Sequence, residues 1–361
     1  MGKLKELDAS IYNDAQNQGI SVTELISRQN PDCEADLPSD AFLERAKFRM
    51  LRQPIPDDLR RGKDAFELQL QEHQIRISGR EADSVESFYK TDTSRILFPE
   101  FINREVQIGM MLGRNECQLE DLIAATQTID SVTYQTIAAA LASDNKGAYR
   151  VGEKGKFPTT TITYGEKSIS LYKFGHAIES TYEVLRRMSI PNLAIHLRLV
   201  GKRLARTKVA EAISVLINGD GNSNAAPVFD KPLLNYDNIV DFDMEWEDYE
   251  ATVWVGNKAT VAGLLKLSEF KDPQAGFTYQ KDGKLISPLG VTLRRESNIP
   301  ANHLLGVDKN AALEEVKEQG SNLVEADKII KTQFQEVIIS EVAGFARIYK
   351  EAAMNWDYTD D

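Results

Sequence analysis

An α+β fold is predicted by three features of this sequence. Residues 147–180 alternate polar and apolar side chains in the manner of a β-hairpin. One unbroken helical period runs from Ser189 to Asn218. Near its end the chain turns to strand-forming text, "EVIISEVAGFARIY". A length of 361 residues supports at least one large core, and 42% hydrophobic with 27% charged residues is the composition of a globular protein. No apolar run approaches the roughly 18 residues of a membrane span, and "MGKLKELDASIYNDAQ" has no apolar stretch behind its lysines, so neither a span nor a secretory signal is expected. Cys33 and Cys117 stand far apart without partner spacing, which argues against a disulfide framework or a zinc cluster. A net charge of −12 disfavours tight nucleic-acid binding, which ordinarily needs a basic face to release counterions. The local run "GKRLARTK", Gly201 to Lys208, has helical spacing and reads as a solvated or salt-bridged face.

Residues 1–95 carry many charges, with prolines at 31, 38, 54 and 56 between short helical signals. Ser21 with Glu24 forms a capping-box pattern before Leu25 and Ile26. Ser39 is placed to cap a helix bearing Phe42, Leu43, Ala46 and Met50. "DAFELQLQEHQIRI", Asp64 to Ile77, reads as helix by its charges and as strand by its alternation. Together these form an arm or helical extension with little apolar surface of its own. From Ile96 the text becomes more apolar; Pro99 marks an entry point, and Ile102, Val106 and Met110 recur at helical spacing.

In the hairpin, Thr160, Ile162 and Tyr164 alternate, Gly165-Glu166 fits a two-residue turn, and Ile169 and Leu171 alternate on the return. It offers too few large apolar residues to stand alone, so it must rest on its own domain or on another subunit. The helix that follows has Ser189 as its cap and Pro191 in its first turn. Its apolar series is Leu193, Leu197, Val200, Leu204, Val209, Ile213 and Leu216, and Asn218-Gly219 ends it. At roughly 26 residues it makes a rod of about 39 Å. Beyond the loop "NGDGNSNAAPVFDKP", the chain predicts a strand through Val253 and Val255, a turn at Gly256-Asn257, a helix through Val261, Leu264 and Leu265, short strands at Val291–Leu293 and Leu304–Leu305, and a closing strand pair.

Catalytic motifs fail on inspection. Gly219-Asp220-Gly221 opens like a dinucleotide fingerprint, but Asn224 replaces the third glycine and the loop follows a helix. Asp220, Asn222 and Asn224 have calcium-loop spacing, yet Ala225 stands where the turn glycine belongs and Lys231 where the bidentate glutamate belongs. "GAYRVGEK" misses a phosphate loop because Glu153 takes the lysine position. His73, His176, His196 and His303 lack ligand spacing, and the acidic run Asp241 to Glu250 reads as a solvated edge. No catalytic, cofactor-binding or metal residue is assigned.

The order of parts is more informative than any motif. An extension, a "FPE" segment, a long hairpin, a spine-like helix, a Gly-Asp-Gly loop, a mixed α/β segment and a closing strand pair together resemble a tailed-bacteriophage major capsid protein of the Hong Kong 97 fold. "YRVGEKGKFPTTTITYGEKSISLYKFGHAIESTYEVL" is similar to that family's extended loop and its return into the spine, and "NGDGNSNAAP" to its post-helix loop. "SPLGVTLRRESNIPANHLLGVDKNAALEEV" is similar to its axial-domain exit, and "TQFQEVIISEVAGFARIYKEAA" to its closing peripheral strands. The resemblance covers roughly residues 96 to 355. It implies an arm or scaffold-like extension (1–95), the start of a peripheral domain (96–146), an extended loop (147–180), the spine helix and its loop (181–235), an axial domain (236–310) and closing peripheral strands (311–361).

It further implies a structural shell subunit, not an enzyme and without cofactor, that forms pentamers and hexamers of an icosahedral head around double-stranded DNA. Assembly would take place in the bacterial cytoplasm, with portal and scaffolding proteins as partners, only weak non-specific DNA contact and no membrane. The extended loop would lie on a neighbouring subunit through Arg150, Glu153, Lys154, Lys156, Phe157, Ile162, Tyr164, Glu166, Lys167, Ile169 and Leu171, with the charged ones setting register. Some family members join a loop lysine to a distant asparagine; nothing local supports that role for Lys154 or Lys156 with Asn355. An encapsulin-like nanocompartment shell is the rival on the same fold, and an α/β enzyme whose site forms only on folding is the rival from another class.

Overall fold

The computed structural model describes residues 7–8, 10–18, 20, 22–29, 37–111, 115–131, 133–140, 153, 161–271, 289–321, 323–329 and 334–358. Among the described residues helices come first: α1 (Ile11–Gln18), α2 (Val22–Gln29), α3 (Ala41–Met50), α4 (Asp57–Arg61), α5 (Ala65–Glu72) and α6 (Asp92–Met110). Strands β1 (Ile123–Ile129), β2 (Thr133–Ala140), β3 (Thr161–Ser170) and β4 (Tyr172–Thr181) lead to α7 (Tyr182–Arg187) and the long α8 (Ile190–Asn218). Next are β5 (Val228–Asp230), α9 (Tyr236–Met244), β6 (Val253–Gly256), α10 (Lys258–Lys266) and α11 (Ser268–Lys271). Strands β7 (Thr292–Arg295), β8 (His303–Val307), β9 (Leu313–Glu318), β10 (Leu323–Ile329), β11 (Phe334–Arg347) and β12 (Ala353–Asp357) complete this mixed helix-and-sheet fold. The chain divides into two compact units. One comprises Met1–Arg114, Lys173–Thr207 and Gln319–Val342, and the other Asn115–Tyr172, Lys208–Glu318 and Ala343–Asp361.

The first unit is built on α6. Thr91 caps it in a capping box with Ser94, three residues later, so the helix starts well before Pro99. Pro99 therefore lies inside α6 rather than at its entry. A proline there costs about 3 kcal/mol, and burying Leu97, Phe98, Phe101 and Ile102 around it contributes about 1.5–3 kcal/mol each, so burial wins. Phe88 packs 5.4 Å from the rings of both Phe98 and Phe101.

The ambiguous Asp64–Ile77 text resolves as helix α5, because Asp64 accepts from the Glu67 backbone N–H at 2.9 Å and Glu67 accepts from that of Asp64 at 3.2 Å. Helix α3 is preceded by Asp40 at the cap position, not Ser39, and no side-chain cap bond forms there. In the core of this unit Arg104 donates to Asp64 at 2.9 Å, to Glu100 at 3.2 Å and to Thr23 at 2.6 Å, with its guanidinium over the rings of Phe42 and Phe66. Helices α2, α3, α5 and α6 are thus tied by one buried cation. The N-terminal half of β11 pairs antiparallel with β10 and also with β4.

In the second unit β5, β12, β8, β6 and β7 form one sheet in that order. Helices α9 and α10 supply Ile239, Phe242, Val261 and Leu264 to a core with Trp254, Leu304 and Trp356 from the strands. The buried Trp356 indole donates to the Lys231 carbonyl at 2.8 Å, so its polar edge is satisfied. Also in this unit, β1 pairs parallel with β9, and β9 pairs antiparallel with the last residues of β11.

Candidate assembly surface

Strands β2 and β3 pair antiparallel as a two-stranded ribbon, from Thr133 opposite Ser170 to Ala140 opposite Thr161. The expected turn at Gly165-Glu166 is absent: β3 runs straight through it. The register steps from Gln135–Ser168 to Ile137–Tyr164, so Gly165, Glu166 and Lys167 bulge opposite Thr136 alone. Glycine and a parity change mark a bulge as readily as a turn, which is why local text could not separate them.

The post-helix loop holds this bulge. Asn222 Oδ1 accepts from the Lys167 N–H at 2.8 Å, and Asn222 Nδ2 donates to the Lys167 carbonyl at 3.2 Å, as a neighbouring strand would. Asn222 is itself fixed by Asp220, whose Oδ1 accepts from its backbone N–H at 3.1 Å and its Nδ2 at 3.0 Å. Gly219 and Gly221, at φ +84° and +96°, allow the chain to leave α8 in this path. The polar side chains that resembled a calcium loop are thus used by the loop itself, including Asn224, whose Oδ1 accepts from the Asp220 N–H at 3.0 Å.

Arg347 completes the junction. Its side chain is 1% exposed and donates to the carbonyls of Leu216 at 3.1 Å, Tyr349 at 3.1 Å and Lys350 at 2.6 Å, while its own N–H donates to Asp220 at 3.1 Å. Burial lowers its pKa to about 10, against the opposing pull of Asp220 and Glu351. The end of α8, the loop, the ribbon and the end of β11 are bound together here. A lone arginine inside the apolar text "GFARIY" was the signal for it, and the sequence reading passed over it.

Of the expected loop contacts, Arg150, Lys154, Lys156 and Phe157 lie outside the described residues, and Glu153 is exposed in a turn. Ile162, Tyr164 and Glu166 lie on β3, and Lys167 is exposed beside the bulge. Ile169 and Leu171 require correction: both are 7% exposed, covered by their own chain, and leave no surface for a neighbour. The reason is local, since Leu171 fills the space over Gly344, where an added Cβ would come 2.6 Å from its Cδ2. At the base of the ribbon Tyr134 donates to Glu314 at 3.1 Å. The ribbon is thus rooted in its own unit.

Along α8, Leu193, Leu197, Leu204, Val209, Ile213 and Leu216 are buried and Val200 is half-buried. Ile195 and Leu199, one turn apart, are 62% and 48% exposed, an apolar stripe the helical-period reading did not single out. Lys208 is also buried, paired with Glu315 at 2.8 Å. The basic run it belongs to is thus salt-bridged at Lys208, one of the two uses its spacing suggested. Among the described residues no group of His, Cys, Asp or Glu side chains is placed to hold a metal, and no helix is long and apolar enough to cross a membrane.

Residues 163–330 match the family model described as phage capsid protein. That stretch is thus similar to phage capsid proteins, the same family that the order of parts resembles. No curated protein matches the sequence. Among solved structures the chain is similar to the virus-like particle protein of Pyrococcus furiosus, at 12% identity over 71% of this chain and 98% of that one, with a TM-score of 0.47. A capsid protein of an empty GTA particle gives 14% identity over 66% and 88%, with a TM-score of 0.46. The SrpI encapsulin of Synechococcus elongatus gives 11% over 66% and 86%, with a TM-score of 0.44.

Proposed function

We propose that this chain is a major capsid protein that assembles through pentamers and hexamers into an icosahedral phage head enclosing double-stranded DNA. The observation that carries the reading is the family match over residues 163–330, which spans most of β3, all of α8 and the mixed segment that follows. The ribbon gives it a physical means. A two-stranded ribbon is marginal alone in water, and this one is rooted at one end by Tyr134, Ile169 and Asn222. Ile162 and Tyr164 on β3, with the contacts that the resemblance implies at Arg150, Glu153, Lys154, Lys156, Phe157, Glu166 and Lys167, meet a neighbouring subunit, where repeated modest contacts sum to a closed shell. The domain boundaries implied by the resemblance belong to this proposal, as do assembly in the host cytoplasm and portal and scaffolding partners. The net charge of −12 keeps contact with packaged DNA weak and non-specific, since a shell that gripped phosphates would oppose packing and release.

Light scattering on a sizing column, with negative-stain microscopy of the eluate, tests the proposal. Hollow megadalton particles or rings of five and six are expected, and a monodisperse monomer under all assembly conditions contradicts it.

A further inference from the structure

One groove in this acidic protein has the opposite charge. It lies in the first unit between α4, α5 and the residues that follow α5, with a volume of about 840 Å³. That lies within the range of about 300–1,000 Å³ typical of ligand sites. Its cations are Arg60, Arg61, Lys63, Arg76 and Lys90, together with Arg45, and its carboxylates are Glu67 and Asp83. Both carboxylates are already engaged: Glu67 accepts from Arg45 at 2.6 Å and Asp83 from the Arg76 backbone N–H at 2.8 Å. Arg45 is spent as well, donating to the carbonyls of Leu59 and Gly62 at 2.6 Å each, and Arg76 pairs with Glu81. Arg60, Arg61 and Lys90 are exposed, and among the described residues no carboxylate pairs with them. Clustered like charges without counter-charges repel one another, so an anionic occupant stabilises the groove.

We infer that this groove docks the acidic segment Asp241–Glu250 of a second copy of the chain. The inference rests on the capsid reading and names one of its subunit contacts. Asp241, Glu245, Glu247, Asp248 and Glu250 of that segment are exposed, and from Glu245 it runs without helix or strand, in a form that can lie along a groove. The exposed Met244, at 69%, adds an apolar contact beside the charges. A groove on one surface and its complement on another make a head-to-tail contact, the kind that closes rings of identical subunits. Nucleic acid is the other polyanion that such cations attract, but every copy brings a net charge of −12 towards the phosphates, whereas the acidic segment is presented by the subunits themselves.

The test mixes ¹⁵N-labelled and unlabelled full-length protein under assembly conditions, couples adjacent amines and carboxylates with a zero-length carbodiimide, and maps the joined peptides. Crosslinks from Lys63 or Lys90 to Glu245, Glu247, Asp248 or Glu250 that join labelled to unlabelled peptides are expected. Crosslinks confined to one label, or particles without these crosslinks, overturn the docking while leaving the capsid reading intact; failure to form any multimer overturns both.

A charge exchange gives a second readout. Arg60→Glu with Arg61→Glu and Lys90→Glu slows assembly about tenfold at low salt, as does Glu245→Lys with Glu247→Lys and Glu250→Lys, and mixing the two variants restores the rate. No restoration by the mixture refutes the pairing. So does tight binding of a short DNA duplex by the wild type that the groove variant alone loses, because the groove would then be a nucleic-acid site.

Discussion

Helices α6 and the first half of α8 cross within the first unit at two glycines, and alanine at either should drive them apart. A Cβ on Gly109 would stand 2.6 Å from Arg198 Cα and 2.7 Å from its carbonyl carbon. One on Gly201 would stand 2.9 Å from the Val106 carbonyl carbon and 3.0 Å from the Met110 nitrogen. Carbon atoms pack at about 3.5–4.0 Å, so the helices must part by about 1 Å. The obstructing atoms are backbone and cannot step aside by a rotamer change. Alanine gains about 1 kcal/mol in helix propensity, and overpacking of this kind costs about 3 kcal/mol or more, for a net loss of about 2 kcal/mol at each position. Urea unfolding of the unassembled protein, followed by far-UV circular dichroism, reads this as a midpoint lowered by about 1 M. Gly263→Ala in α10 is the internal control. Its Cβ meets only the flexible Leu234 Cδ2 at 3.1 Å, so the propensity gain survives and the midpoint holds or rises. If Gly109→Ala and Gly201→Ala behave like Gly263→Ala, the close crossing is wrong.

Arg104→Met leaves Asp64 and Glu100 as buried carboxylates without their cation and costs about 3–5 kcal/mol, whereas an exposed pair such as Lys47 with Glu44 costs less than about 1 kcal/mol; thermal unfolding of both variants checks the contrast. Asn222→Ala removes both bonds to Lys167, costs about 1–2 kcal/mol and lowers hydrogen-exchange protection at the Lys167 amide while protection within α8 is kept. Replacing Ile162 and Tyr164 together with Asp leaves a folded monomer by circular dichroism and stops particle formation; unfolding instead would place the ribbon in its own core. The Cys117 thiol, fully buried and with its pKa raised first by burial and then by Asp121 and Glu296, resists alkylation from pH 7 to 9 in the native protein and reacts once it is denatured, as peptide mass mapping would show.

What the sequence made legible was whatever a single period or cap encodes. The series Leu193 to Leu216 gave α8 nearly residue for residue, because one apolar stripe and the Asn218-Gly219 end suffice. Val253, Val255, Leu304 and Leu305 marked β6 and β8 because strands buried on both faces read as apolar runs. Asp64 and Glu67 form a capping box that decides for helix, but the alternation of the following residues obscured it. Contacts made across the chain left no such trace. The Gly165 bulge depends on Asn222, the burial of Leu171 on Gly344, and the helical unit around α6 on a cation, Arg104, whose partners stand as far away as Thr23. The basic groove escaped notice because its cations are scattered from Arg45 to Lys90 within charge-rich text and converge only on folding.

Self-assembly is read by multi-angle light scattering on a sizing column of the purified full-length chain, with microscopy of the peak. Hollow megadalton particles or five- and six-membered rings are expected. A single monomeric or dimeric species that persists across salt, concentration and added scaffolding protein would contradict it.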